Sequence, residues 1–143
     1  MTNKFENTSN RERQTKALQT FCKEYGLAFI ENKDFAALDA KLGKDNKLIG
    51  QAEVKGVHSN YEDKDFVVVS MRKMVDCQTE QIKSKKPVVI IWAFNDCIAY
   101  QNLEKLSGEF YFGGRKKRKG STHDIELMVK IDKQKLIKIE NNI

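Results

Sequence analysis

The chain contains little that could staple it, interrupt it or anchor it. One proline, Pro87, and eight glycines among 143 residues leave no Pro-rich or Gly-rich linker, and no internal repeat or low-complexity stretch divides the sequence, so a single domain is expected. A chain of this length buries about two-thirds of its unfolded surface and needs no cross-links to fold. The three cysteines, Cys22, Cys77 and Cys97, are odd in number, widely spaced and set among apolar residues. They make neither a disulfide framework nor a zinc site, and buried thiols are expected. No apolar run reaches the length of a membrane span, and Met1-Thr2-Asn3-Lys4-Phe5 lacks the core of a signal peptide, so a cytoplasmic location without a membrane partner is expected. A P-loop and a Gly-x-Ser-x-Gly elbow are missing as well, which removes nucleotide-binding and serine-hydrolase chemistry.

Basic charge is present, and it is local. The net charge is +6, and Arg115, Lys116, Lys117, Arg118 and Lys119 account for five of those charges. Adjacent cations repel one another, so the run belongs on an exposed loop, here flanked by Gly113-Gly114 and Gly120. Such a loop can follow a phosphate backbone, releasing counterions and giving binding that weakens steeply with salt.

Chemistry concentrates in Ile49 to Gly56, reading Ile-Gly-Gln-Ala-Glu-Val-Lys-Gly. Alternate side chains on a strand share a face, so Glu53 and Lys55 point one way and Ala52 and Val54 the other. A second apolar run, Phe35 to Leu42, is joined to the first by the turn-forming Gly43-Lys44-Asp45-Asn46-Lys47. If the two fold back antiparallel about Asp45 or Asn46, facing residue numbers sum to about 91 or 92. Asp39 then faces Glu53 at about 5 Å between Cβ atoms, with Lys55 next along. Two carboxylates that close require a compensating cation, either Lys55 alone or a hard divalent ion, for which oxygen ligands favour magnesium or manganese over zinc.

These residues resemble the PD-(D/E)XK nuclease superfamily, with Asp39, Glu53 and Lys55 at the motif positions. The resemblance is closest to small phage nucleases and Holliday-junction resolvase-like members, and it covers roughly residues 10 to 103. Leu38 stands where the motif's proline is often written. The resemblance implies an α/β, restriction-endonuclease-like α-β-β-β-α-β core with a mixed central sheet, here carrying a C-terminal β-hairpin extension over about residues 104 to 143. It further implies a Mg2+-dependent (or Mn2+-dependent) deoxyribonuclease acting in DNA processing, recombination or repair, with RNA left open as a substrate. Asp39, Glu53 and the carbonyl of Val54 would hold the metal, and Lys55 would orient the attacking water. Because resolvases cut two strands symmetrically, a homodimer is implied on the same ground. The competing reading is a non-catalytic nucleic-acid-binding protein that uses only the basic hairpin.

The remaining pattern fits that order. Ala17, Leu18, Phe21, Cys22 and Tyr25 recur at helical spacing from about Asn10, and Gly26 stops the helix. Its acids, Glu12 and Glu24, are expected to face solvent. Leu27 to Ile30 is a short strand. His58 and Tyr61 fall in the loop after Gly56. Ser70 is a plausible N-cap for a helix to about Lys86 whose inward face is expected to carry Met71, Met74, Val75, Gln78 and Ile82. Lys73, in its first turns, could meet a phosphate at the helix's positive end. Pro87 to Phe94, apolar on both faces, reads as a central buried strand with Trp92 in the core. Cys97 to Gln101 is its hairpin partner, Glu109 to Phe112 and Ile125 to Ile131 are strands, and Lys133 to Ile139 is an edge strand.

Overall fold

The computed structural model describes residues 8–114 and 125–141; the basic run Arg115–Lys119 lies outside them. Helix α1 (Thr8–Tyr25) is followed by strands β1 (Ala28–Glu31), β2 (Ala40–Lys44), β3 (Lys47–Gly56) and β4 (Phe66–Ser70), then helix α2 (Met71–Ser84). Strands β5 (Val88–Ala93), β6 (Cys97–Asn102), β7 (Glu109–Gly114), β8 (Ile125–Asp132) and β9 (Ile137–Glu140) complete the chain. Among the described residues a six-stranded sheet runs β1-β2-β3-β5-β6-β9 and a three-stranded sheet runs β4-β8-β7. The pair β3–β5 is parallel, and the other neighbours are antiparallel. The layers are α1, the large sheet, and then α2 with the small sheet.

Local chemistry explains most boundaries. Gly26 ends α1 at φ +67, a left-handed conformation that glycine adopts without steric cost. The β2–β3 turn places Asp45 at φ 53 and Asn46 at φ 64, as a two-residue type I′ turn requires of residues that tolerate that region. Ser70 Oγ accepts the Lys73 N–H at 3.1 Å and caps α2, while Lys85 turns left-handed to close it.

The centre of the large sheet is buried on both faces. Ala17, Leu18, Phe21 and Cys22 of α1 pack on one side with Ala52, Val89 and Ile91. Cys77 of α2 and Val67, Val69, Val129 and Ile131 of the small sheet pack on the other with Ile90 and Trp92. Every residue of β5 is buried, and the Trp92 indole N–H donates to the Val68 carbonyl at 3.0 Å. All three cysteines are free and buried.

Three sequence expectations need correction. Of Lys133 to Ile139, expected as an edge strand, Lys133–Lys135 form a 3-10 turn capped by Asp132 Oδ1, which accepts the Gln134 N–H at 2.9 Å, and only Ile137–Glu140 is strand. Strand β2 begins at Ala40, not Phe35: Phe35 is exposed with φ 72, while Leu38 is drawn into the core beneath α2, so this apolar run is used as a loop that delivers one side chain inward. Helix α2 is also rotated from the expected face. Val75 and Ile82 are exposed, and Cys77 is buried with Met71 and Met74 packed beside it. Polar contacts fix that rotation: Lys73 reaches Glu53, and Gln81 Oε1 accepts the Val88 N–H at 3.1 Å.

Gly50 is the tightest point near the site strand, since a Cβ there would stand 2.8 Å from the Pro87 carbonyl oxygen, which already accepts the Gln51 N–H at 3.1 Å. Gly50→Ala is expected to lower stability by about 1–3 kcal/mol, the usual cost of overpacking against backbone, readable as a reduced denaturation midpoint.

Candidate active site

The sequence of the β2–β3 hairpin sets the site. Its register runs Lys44↔Lys47 and Gly43↔Leu48, slips by one residue at a bulge between Leu42 and Gly43, and continues as Leu42↔Gly50, Lys41↔Gln51 and Ala40↔Ala52. One step further along lie Asp39 and Glu53. The Asp39 N–H donates to the Ala52 carbonyl at 3.1 Å, and Asp39 Oδ2 accepts the Val54 N–H at 2.7 Å. The β3 backbone therefore holds both the main chain and the carboxylate of Asp39.

Glu53 lies on the face of β3 that looks toward α2 and is 5% exposed. Burial, and then the negative charge of Asp39, push its pKa up to about 8, against the opposing pull of Lys73 and Lys55. Lys73 comes from the first turn of α2. Its Nζ lies 3.4 Å from Glu53 Oε2, donates to the Ala37 carbonyl at 3.1 Å and stands 3.9 Å from Asp76 Oδ2. Lys55 follows Val54 on the same face as Glu53, is partly buried, and pairs in register with Trp92 of β5.

Of the sequence-predicted residues, Asp39, Glu53, Val54, Lys55 and Lys73 come together at one end of the β2–β3–α2 junction. Lys73, expected to face a phosphate, has its ammonium on Glu53. Arg115, Lys116, Lys117, Arg118 and Lys119 are outside the described residues. Two contributors went unread in the sequence. The Ala37 carbonyl has no side-chain signal. Arg13 of α1 bonds the Ala93 carbonyl at 3.2 Å and Asn95 Oδ1 at 2.9 Å and approaches His58 Nδ1 at 3.4 Å, tying α1 to the loops after β3 and β5. Tyr61 is engaged within the fold, its ring edge-on to Phe94 and Lys133 Nζ 4.1 Å from its centroid. Glu12 is exposed and borders a separate cavity of about 230 Å³ with Arg13 and Lys16.

The donor set fits a hard divalent cation. Glu53 Oε1 is buried with no hydrogen-bond partner among the described residues, and Asp39 adds a second carboxylate whose charge reaches it. No group of three or more His, Cys, Asp or Glu side chains that could hold a metal occurs among the described residues. A magnesium ion here would rely on two carboxylates, a backbone carbonyl, water and substrate oxygens, which matches its habit of keeping waters and binding through one or two carboxylates. A larger cavity, about 690 Å³, lies along β1, β2 and the β2–β3 turn and contains none of these residues; the acids and lysines, rather than concavity, locate the chemistry.

A search of curated proteins finds no match. Among solved structures, the Holliday junction resolvase Hjc from Archaeoglobus fulgidus is similar over 90% of this chain and 87% of that one, with TM-score 0.57 and 13% identity, which shows a shared fold. The sequence model of the family described as "Phage putative PDDEXK endonuclease" matches residues 1–139. With Asp39, Glu53 and Lys55 gathered on a fold of that class, the chain belongs to this phage PDDEXK endonuclease family.

Proposed function

We propose that the protein is a divalent-metal-dependent endonuclease that hydrolyses phosphodiester bonds in DNA during phage DNA processing, recombination or repair, in the host cytoplasm. The observation that carries this reading is Glu53, a buried acid with one unpartnered oxygen, placed beside Asp39 and between two lysines. Burying an acid with one oxygen unsatisfied is costly, and a bound cation would offset that cost.

Asp39 and Glu53, with the Val54 carbonyl, would hold magnesium or manganese, which when bound offsets the charge of the scissile phosphate and makes a water molecule more acidic. The protein's own groups do the rest. The Val54 N–H holds Asp39 in one rotamer, so that oxygen is presented without reorganisation. The Lys55 ammonium orients the attacking water and balances charge developing on the phosphate, an arrangement worth most in a partly dry site. Lys73 neutralises Glu53 and stands at the capped start of α2, where the backbone already favours an anion. No helix among the described residues is long and apolar enough to cross a membrane. A symmetric dimer would supply two such sites for a two-strand cut.

The test is cleavage of linear, nicked, single-stranded and four-way-junction DNA with magnesium, manganese or chelator. Cutting that requires the metal supports the reading. Binding without cutting under every metal condition overturns it in favour of a nucleic-acid-binding protein. A separate expectation concerns Arg115–Lys119: neutralising all five is expected to reduce the slope of log affinity against log salt by up to about 4.5, at about 0.9 per phosphate contact, as read from binding titrations at several salt concentrations.

A further inference from the structure

Asn32, which follows β1, gathers the segment that carries Asp39. Its backbone N–H donates to the Asp39 carbonyl at 2.8 Å, its side-chain Nδ2 donates to the Leu38 carbonyl at 2.9 Å, and its Oδ1 accepts the Lys41 ammonium at 2.9 Å. With Lys73 on the Ala37 carbonyl, three consecutive carbonyls are each held by a donor. Lys41 pairs in register with Gln51 on one side and Ile30 on the other. Cross-strand partners share a face, and Gln51 and Glu53 are alternate residues of β3, so Lys41 lies on the face of the sheet that carries Glu53. Along its row burial falls away: Gln51 is 8% exposed, Lys41 is exposed and Ile30 is 71% exposed. The face is therefore closed toward β5, where buried Ile90 lies beside Glu53, and open over β2 and β1.

We propose that Lys41 is a substrate-binding residue that holds a phosphate of the cleaved strand one or two nucleotides from the scissile one, and that Asn32 positions it. The inference rests on the nuclease reading and gives the substrate strand its direction of exit, over β2 and β1. Residues two apart on a strand stand about 6.7 Å from one another. Lys41 is thus offset from Asp39 by about the advance of two nucleotides, at about 3.4 Å each along a DNA strand. The partner of its ammonium is a neutral amide, which orients the charge without cancelling it. An ammonium has three donors, so the bond to Asn32 leaves others for a phosphate oxygen. A lysine that serves only solubility gains little from being held, since fixing a long side chain costs rotamer entropy; beside Asp39, the same ordering leaves less to immobilise when substrate arrives. Asn32 acts at both ends of the arrangement, because the side chain that aims Lys41 also fixes the main chain leading into Asp39.

The experiment maps the cut made by the parent protein with magnesium, then replaces single phosphates around it with uncharged methylphosphonate linkages. It measures kcat and KM for the parent, Lys41→Gln, Lys41→Arg and Asn32→Ala, with melting curves on each. Affinity for fluorescein-labelled duplex DNA is titrated against salt in chelator, where the proposed chemistry is off. The expected result is that Lys41→Gln raises KM about fivefold, the scale of one exposed ion pair, with most of the loss in KM rather than kcat. It should also reduce the slope of log affinity against log salt by about 0.9, one phosphate contact, and Lys41→Arg should restore both. A methylphosphonate one or two nucleotides from the cut should raise KM for the parent and leave Lys41→Gln no worse. Asn32→Ala should raise KM and lower kcat together, and adding Lys41→Gln to it should do less harm than Lys41→Gln does to the parent, because the lysine has already lost its aim. An unchanged salt slope in Lys41→Gln, or a methylphosphonate effect of equal size in the parent and Lys41→Gln, would overturn the subsite while leaving metal-dependent cleavage intact. A parent that binds DNA but cuts under no metal condition removes the nuclease reading and, with it, any place for Lys41 beside a scissile phosphate.

Discussion

Glu53→Ala is expected to lower metal-dependent cleavage by at least about 10³-fold, the scale of several kcal/mol of lost transition-state stabilisation, while leaving the fold intact. The two halves of that statement come from the same geometry. Glu53 supplies the buried oxygen that no donor among the described residues satisfies, so its removal takes away the ligand proposed for the metal. It also removes a buried acid from the middle of β3, where neighbouring Ala52 shows that alanine suits the strand. Asp39→Ala should lose cleavage to a similar degree with some loss of stability, because the Val54 N–H then loses its 2.7 Å partner. Steady-state cleavage rates set beside circular dichroism and melting curves separate the effects. Full activity in Glu53→Ala would end the assignment of this site.

Metal-free protein is expected to lose stability as pH rises from about 4.5 to about 8, and Glu53→Gln to abolish that loss. Burial and the Asp39 charge raise the Glu53 pKa from 4.5 to about 8 in the folded state. Between those values the folded protein binds the proton and the unfolded chain does not. The stabilising contribution is therefore complete below the unfolded pKa and is lost as pH climbs through the folded one. At about 1.4 kcal/mol per unit, the Glu53 contribution amounts to a few kcal/mol. Denaturation midpoints in chelator should fall across this window for the parent and stay nearly level for Glu53→Gln, apart from changes common to both. Adding magnesium at pH 8 should restore the parent and leave the variant unmoved, because only the carboxylate gives the ion its preference for the folded state. A parent whose midpoint is flat from pH 4.5 to 8 would show that Glu53 is not the strained group described above.

Most of the architecture was legible because local signals agreed with the tertiary outcome. The α1 stripe, the Ser70 cap, the Asp45-Asn46 turn and the two-faced apolar run of β5 each specify their element without help. The acid pair was legible too, since hairpin register is arithmetic; the sums of 91 near the turn and 92 beyond the bulge both occur. The failures share a cause. Phe35–Leu38 looks like strand by hydrophobicity, yet Leu38 is wanted by a core that forms only when α2 arrives. The wheel of α2 looks inward at Val75 and Ile82, yet ion pairing of Lys73 with Glu53 and the Gln81–Val88 hydrogen bond turn it. Polar contacts between distant residues leave no period in a sequence, so a helix face set by them cannot be counted out. The same holds for Arg13, whose carbonyl partners carry no side-chain signature.

The parallel junction between β3 and β5 has a consequence for how the activity comes into being. Every residue assigned to the chemistry lies between positions 39 and 73, but the strand that carries Glu53 and Lys55 gains its second neighbour only when Val88–Ala93 slides alongside, after β4 and α2 have crossed over. Parallel pairing demands that crossover first. Until that strand docks, β3 lacks a rigid wall behind Glu53 and Lys55, so the geometry of the proposed site is completed late, with β5 rather than α2 as the closing step.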